Sequence, residues 1–384
     1  MSRLFFVPPV TITGGGSLAE NAGRIIFGKK ALIITGKTVV KQDCTKELIK
    51  TLEEKNVAYS IFSDITGEPT DVMIKEGAKA YKENACDFMI AIGGGSPMDS
   101  MKAIAVLLKY PENKLRDFMG KEIEGPFVPM VAIPTTAGTG SEVTMFTVIT
   151  DTETEVKMLL KGAALIPDVA IVDPMFSKSS PKSVTANTGL DALTHAVEAY
   201  TSKKAQPLTD TLAVSAVKRI MKYLPLAYAN GEDAKAREEM ALAAYEAGIC
   251  ITNSSVTLVH GMSRPIGALF HVPHGLSNAM LLPTCLEFAA DGIYSKFADL
   301  ARAIGAADKE VSDEVAAKTF IKKVRELCET CNVPTLAEYG INKEAFLSKA
   351  EKMASDAVTS GSPGNTVKEV TETDCIEIYK KLWK

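Results

Sequence analysis

Histidine is scarce in this chain: four in 384 residues, beside a single tryptophan and an aromatic content of 7%. No segment approaches the roughly 20 consecutive apolar residues that span a bilayer, so no membrane-spanning helix is expected. The opening run, MSRLFFVPPVTITGGG, is interrupted by Pro8 and Pro9 and lacks the sustained apolar centre of a secretory signal. Lysines and acids are interleaved, the formal net charge is −4, and no basic stripe stands out. Nucleic acid and anionic membrane surfaces are therefore not expected partners. Seven cysteines, an odd number spread along the chain, suggest free thiols in a reducing compartment, and a cytoplasmic location is the expectation. Cys328 and Cys331 form a CxxC with no second pair to complete a zinc site. They are expected to be two small buried residues near a helix end.

What is present is a composition fit for large cores, 46% hydrophobic and 23% charged, in a length suited to two domains. The first half alternates compact apolar runs with helical patterns. ALIIT (31–35), AYSIFSD (58–64), DFMIAIGGG (87–95), FVPMVAIPTT (127–136) and VAIVDP (169–174) end in turn residues, as buried parallel strands do. Helical patterns fill 38–56 and 71–84 between them. Such alternation predicts a Rossmann-like parallel sheet with helices on both faces and ligands beyond the carboxyl ends of the strands. After about residue 180 strand-like runs nearly vanish and Ala, Leu, Lys and Glu recur at helical spacing. The reading is an α/β domain over 1–180 and an all-helical domain over 181–384.

GGGS occurs at 14–17 and at 93–96. In the first copy Ser17 and Glu20 have capping-box spacing, which predicts a turn into a helix. The second follows the buried run FMIAI, with Ser96 expected as N-cap, Pro97 as the first helical residue and Asp99 as the third. Glycines there let the backbone approach a ligand, and a helix N-terminus offers unpaired N–H groups, so the turn can take a pyrophosphate. It is neither GxGxxG nor a Walker A loop. IPTTAGTGSE (133–142) supplies a second strand-end loop, crowded with hydroxyls and glycines.

Three of the four histidines, His260, His271 and His274, fall in HGMSRPIGALFHVPHG. The fourth, His195, follows Asp191 by one helical turn, so carboxylate and imidazole share a face. Carboxylate and imidazole donors of this kind suit a borderline divalent ion such as Fe²⁺ or Zn²⁺. The residues themselves leave open whether His260 and His274 complete the set or His271 takes part; His271 can equally be a proton relay or a packed neutral side chain.

The ordered motifs GGGSPMDSMK, PTTAGTGSEVT, DPMFSKSSP, TGLDALTHAVEAY, HGMSRPIGALFHVPHG and LSNAMLLP run nearly end to end. Together they resemble the iron-containing (group III) alcohol dehydrogenases, which have a dehydroquinate-synthase-like fold. The resemblance implies that Asp191, His195, His260 and His274 bind one divalent metal, Fe²⁺ or sometimes Zn²⁺, and leaves His271 as a non-ligand in the cleft. It implies nicotinamide dinucleotide contacts at Gly94, Gly95, Ser96, Asp99, Thr135, Thr136 and Thr139, with Lys157 as a further one. Homodimers or larger homo-oligomers are common in the family. Two departures matter. Arg264 stands where many members have histidine, so proton handling passes to His271, or Arg264 grips an anionic substrate group. Many NAD-specific members end their first strand with Asp. Here Gly36 and Lys37 remove that repulsion and offer a cation, so NADP is expected to be accepted alongside NAD.

The implied reaction is reversible hydride transfer between nicotinamide and a small alcohol or aldehyde held by the metal at the meeting of the two domains. Phe146 and Phe270 are candidate apolar walls or core residues. A lyase of the same fold would need a dense basic cluster, and only Arg264 offers itself near the histidines. A non-catalytic NAD(P)-binding redox sensor is the non-enzymatic alternative.

Overall fold

The computed structural model describes residues 2–383. They divide into two compact units: Phe5–Ser180, and Pro181 onward together with the N-terminal residues through Leu4.

The first unit is built on a six-stranded sheet in the order β1-β8-β5-β4-β2-β3. Its strands are β1 (Val10–Thr13), β2 (Lys30–Ile34), β3 (Ala58–Phe62), β4 (Phe88–Gly93), β5 (Met130–Pro134) and β8 (Val169–Val172). Every pairing among them is parallel. Strand alternation sorts their side chains onto two faces. Leu32, Ile34, Met89, Ala91 and Ala132 point into one core, with Ile74 and Ala78 of α3 (Asp71–Glu83) and Met98, Met101 and Ile104 of α4 (Gly95–Lys109). Ile33, Ile90, Ile92, Val131 and Ile133 point the other way, against Leu48 and Leu52 of α2 (Asp43–Glu54). Burial on both faces is why these strands read as continuous apolar runs.

Two features escape that reading. β1 is a short edge strand whose residues are only partly buried. β6 (Phe146–Asp151) and β7 (Val156–Lys161) form a separate antiparallel hairpin. Its turn contains Glu155 at φ 58°, with no Asn-Gly or Gly-Gly to announce it. Both expected caps are also corrected. Gly16, not Ser17, caps the four-residue helix α1 (Ser17–Glu20), and Ser17 N binds Asp173 Oδ2 at 3.1 Å. Gly94, not Ser96, is the N-cap of α4, which starts at Gly95 without a side-chain cap. Gly94 has no side chain to supply a cap, so the first-turn N–H groups keep their capacity for a ligand.

The second unit is helical: α5 (Lys182–Thr201), α6 (Pro207–Ala229), α7 (Ala234–Asn253), α8 (Leu258–Phe270), α9 (His274–Ala289), α10 (Tyr294–Ala303), α11 (Asp313–Thr330), α12 (Lys343–Ser348), α13 (Ala350–Thr359) and α14 (Glu372–Lys381). α5 is central, buried at fifteen of its twenty positions. A helix enclosed on all sides has no polar face, so its polar residues must find partners inside. All seven cysteines are free and buried, Cys328 and Cys331 included. Among the described residues no helix is long and apolar enough to cross a membrane.

Candidate metal centre and strand-end loops

α5 carries Asp191 and His195 one turn apart, α8 presents His260, and His274 is the first residue of α9. Their donor atoms converge. Asp191 Oδ1 lies 3.8 Å from His195 Nε2, 3.7 Å from His260 Nε2 and 3.8 Å from His274 Nε2. The rings of His195 and His260 stack at 4.6 Å between centroids, and His260 and His274 tilt together at 5.3 Å. Asp191, His195 and His260 are buried and form a group able to hold an ion, while the His274 side chain is 42% exposed. Gly275 explains how α9 begins so close to α5. A Cβ there would meet the Asn187 carbonyl oxygen at 2.4 Å and the Asp191 Cβ at 3.3 Å.

Two polar residues that the sequence reading did not single out complete the centre. Glu198, seven residues after Asp191 on α5, is 1% exposed. Its Oε2 takes His260 Nδ1 at 2.6 Å, and its Oε1 accepts from Thr257 Oγ1 at 2.8 Å and from Val259 N at 2.6 Å. A carboxylate on Nδ1 directs the Nε2 lone pair of His260 toward the other donors, the arrangement common behind metal-bound imidazoles. Asn278, on α9, places its amide nitrogen 2.7 Å from Asp191 Oδ1. Burial opposes the charge of Asp191, but His195 and the other imidazoles outweigh it and hold the carboxyl far below its usual range. Burial likewise opposes ionised Glu198, and His260 with the Thr257 hydrogen bonds overcomes it. His274, still open to water on one side, is lowered by its partial burial and by the neighbouring imidazoles, with Asp191 opposing, which favours the neutral donor form.

The donor set fits a divalent ion. Ligand atoms about 2.0–2.2 Å from a tetrahedral ion stand roughly 3.3–3.6 Å apart, close to the separations found here. One carboxylate and three imidazoles also suit Fe²⁺ or Zn²⁺ better than the oxygen-loving Mg²⁺ or Ca²⁺.

The two residues proposed for catalysis lie on the same elements. Arg264 follows His260 by one turn, and its Nη1 donates to Ser362 Oγ at 3.0 Å, a hydroxyl and not a carboxylate. Burial lowers its guanidinium, with Glu198 opposing. His271 ends α8 in the left-handed conformation at φ 53° and is exposed; its carbonyl faces Tyr339 Oη at 3.5 Å. Phe270 packs on Phe346 at 5.2 Å between rings, beside Tyr379 and Trp383, which is a core role.

In the α/β unit the register pairs Gly93 with Pro134, so the loops after β4 and β5 emerge side by side, tied by Thr135 N to Gly93 O at 2.8 Å. A Cβ on Gly94 would touch Thr136 at 3.6 Å, and one on Gly95 would press on Thr139 at 3.1 Å. Glycine at 95 is what lets the hydroxyl loop close over the start of α4. Ser96 lies in that first turn. Asp99 is already engaged: its carboxylate accepts from Ser141 Oγ at 2.6 Å and Val148 N at 2.9 Å. Beneath it, Lys102 is wholly buried and gives its ammonium to Ser141, Thr144 and Phe146. Desolvation lowers Lys102 to about 8, against the pull of Asp99 and Glu142. These groups hold the loop from below. Phe146 thus contributes its carbonyl to a structural knot. Gly36 follows β2 and bridges to Asp64, whose Oδ1 stands 3.5 Å from Lys37 Nζ. Lys157, on β7, pairs with Glu68 at 2.7 Å.

A parallel-sheet unit with a glycine-rich strand-end turn, and a helical unit with a buried Asp/His group able to hold an ion, suit the class of nucleotide- and metal-binding enzymes. Residues 8–174 match the profile described as iron-containing alcohol dehydrogenase, and residues 185–383 the one described as the C-terminal part of the same family. The chain is 37% identical over 380 residues to the NAD-dependent methanol dehydrogenase of Bacillus methanolicus, covering 98% of each. It is 37% identical over 371 residues to the lactaldehyde reductase of Escherichia coli K12, covering 96% of this chain and 95% of that one. The crystal structure of a 1,3-propanediol oxidoreductase superposes with a TM-score of 0.96 at 33% identity, over the whole of both chains. The chain belongs to the iron-containing alcohol dehydrogenase family, and its reaction class is alcohol–aldehyde oxidoreduction.

Proposed function

We propose that this member moves a hydride reversibly between C4 of a nicotinamide dinucleotide, NAD or NADP, and the carbonyl carbon of a short aldehyde, with Fe²⁺ as the resident ion and Zn²⁺ as a substitute. The observation that carries the reading is the convergence of Asp191, His195, His260 and His274 on one point. The ion, when bound, supplies Lewis-acid stabilisation of the negative charge that grows on the carbonyl oxygen. The chain's own residues do the rest. Glu198 keeps His260 in the tautomer whose Nε2 can donate to the ion. The backbone of Gly94, Gly95 and Ser96 takes the pyrophosphate at the open start of α4, with Thr135, Thr136 and Thr139 as hydroxyl partners. Asp99 acts by positioning that loop, and Lys157 on β7, paired with Glu68, is a further cofactor contact in this proposal. In reduction, the alkoxide receives its proton from His271 or from water; His271→Ala with an unchanged rate and pH profile removes the residue from that role.

Cofactor and substrate choice rest on particular side chains. Gly36 and Lys37 admit a 2′-phosphate, while Asp64 beside Lys37 tempers the attraction, so both NADH and NADPH are taken. Arg264, bonded to a hydroxyl, has charge left to grip an anionic substituent of the aldehyde. The family resemblance and the free cysteines support a cytoplasmic homo-oligomer. The test is an initial-rate assay with NADH or NADPH and short aldehydes, neutral and carboxylate-bearing, on the parent chain and on Arg264→Leu. Oxidation of either cofactor supports the dehydrogenase reading, and a selective loss of the anionic aldehydes in the variant supports the Arg264 role. No oxidation with any pair, with ion and cofactor both bound, contradicts the reading.

A further inference from the structure

Asn278 lies on α9 one turn after His274 and is 0% exposed. Its Nδ2 stands 2.7 Å from Asp191 Oδ1, 3.2 Å from His260 Nε2 and 3.3 Å from His274 Nε2. Three of the four donor atoms therefore face one NH₂ group that has two hydrogens. The other end of the amide, Oδ1, is buried without a hydrogen-bond partner. An amide oxygen left unpaired in a core is unfavourable by about 1–3 kcal/mol, so the orientation has to be held by something stronger. Asp191 holds it. Turned over, the amide would set its oxygen where Nδ2 now stands, facing a carboxylate oxygen with no proton between them. A hydrogen bond to an ionised acceptor is about twice as strong as a neutral one, which outweighs the orphaned oxygen.

We infer that Asn278 is a positioning residue of the metal centre, an inference that rests on the metal reading above. Its NH₂ occupies one lone pair of Asp191 Oδ1 and leaves another for the ion, so the carboxylate presents a single oxygen. The residue type follows from the geometry. Leucine has a similar volume but no donor, and aspartate would put an oxygen against Asp191.

The experiment compares the full-length parent chain with Asn278→Leu and Asn278→Asp. Zn²⁺ affinity is read by competition with a chromophoric chelator, and the visible absorption of bound Co²⁺ reports the coordination geometry. Both substitutions are expected to weaken Zn²⁺ binding by about 10- to 100-fold, the usual effect of removing a group that orients a ligand. The Co²⁺ bands should also change in intensity, because Asp191 is free to present both oxygens. Parent-like affinity and spectra in both variants would overturn the inference. Tighter Zn²⁺ binding by Asn278→Asp would overturn it too, since an oxygen rather than an N–H would then serve the ion. A parent chain that binds no Zn²⁺ refutes the metal reading and this inference together; a parent that binds while the variants match it refutes only the role of Asn278. Should Asn278→Leu fail to fold, Asn278→Asp, which keeps the shape, decides the matter.

Discussion

Replacing Glu198 by glutamine isolates what one buried charge does for the metal centre. The side chain keeps its shape, but one acceptor oxygen becomes an NH₂. Three donors now converge on the carboxylate: Thr257 Oγ1, Val259 N and His260 Nδ1. If the new NH₂ faces His260, the imidazole must shift its proton from Nδ1 to Nε2. The nitrogen meant for the ion then carries a hydrogen and cannot donate. If the amide turns over, the NH₂ meets the Val259 N–H, and a buried backbone donor is left unpaired at about 1–3 kcal/mol. Either arrangement weakens the site. A 10- to 100-fold loss of metal affinity, about 1.4–2.7 kcal/mol, is expected from removing the group that orients a ligand. The assay is thermal unfolding of parent and variant across a Zn²⁺ titration. Each tenfold loss of affinity removes about 1.4 kcal/mol of metal-derived stabilisation at a given free Zn²⁺. A Glu198→Gln chain whose Zn²⁺-dependent stabilisation matches the parent's would refute the reasoning about His260.

Three further outcomes follow from single contacts. Gly275→Ala drives a Cβ to 2.4 Å from the Asn187 carbonyl, so α9 must move off α5. It should lower stability by about 1–3 kcal/mol in denaturant melts and weaken Zn²⁺ binding together, and an unchanged midpoint would contradict the close approach. Asp71 is bonded to Lys75 Nζ at 2.8 Å and to Thr152 N at 3.0 Å, which overcome its burial and hold it at about 2. A carboxyl lowered on folding stabilises fully above its unfolded value near 4, and that contribution, about 2 kcal/mol, fades as the pH falls from 4 toward 2. Asp71→Asn should therefore be less stable than the parent at pH 7, with the gap closing near pH 2; a gap independent of pH would be wrong for this account. Asp64→Ala frees Lys37 and should raise the NADPH-to-NADH ratio of kcat/KM several-fold, whereas Lys37→Ala should lower it. A ratio unmoved by both would place the 2′-phosphate elsewhere.

Much of this was legible in the sequence where physics leaves little choice. Strands buried on both faces have to be continuous apolar runs, so β2, β4, β5 and β8 announced themselves. β1 did not, because its four edge residues, three partly buried and one exposed, carry no such demand, and the β6–β7 hairpin turns through Glu155 instead of glycine. The residues that converge at the candidate metal centre stood out because histidine is rare here and His195 repeats the turn of Asp191. Glu198 and Asn278 did not. A glutamate in a helix is commonplace, and the signal available was its place three residues after His195 on the same face; Asn278 stands four after His274. The expected Ser96 cap failed for an instructive reason. The helix begins two residues earlier, at glycines with no side chain to supply a cap, which is what a ligand-receiving turn requires.

The most direct test of the account is a titration of the metal-stripped chain with Fe²⁺, following oxidation of the nicotinamide while a short aldehyde is present. The account predicts negligible turnover without the ion, a linear rise, and a break at one ion per chain, with Asp191→Ala and His260→Ala showing no such break. Full turnover by the stripped chain, or an equal response in the two variants, would contradict it.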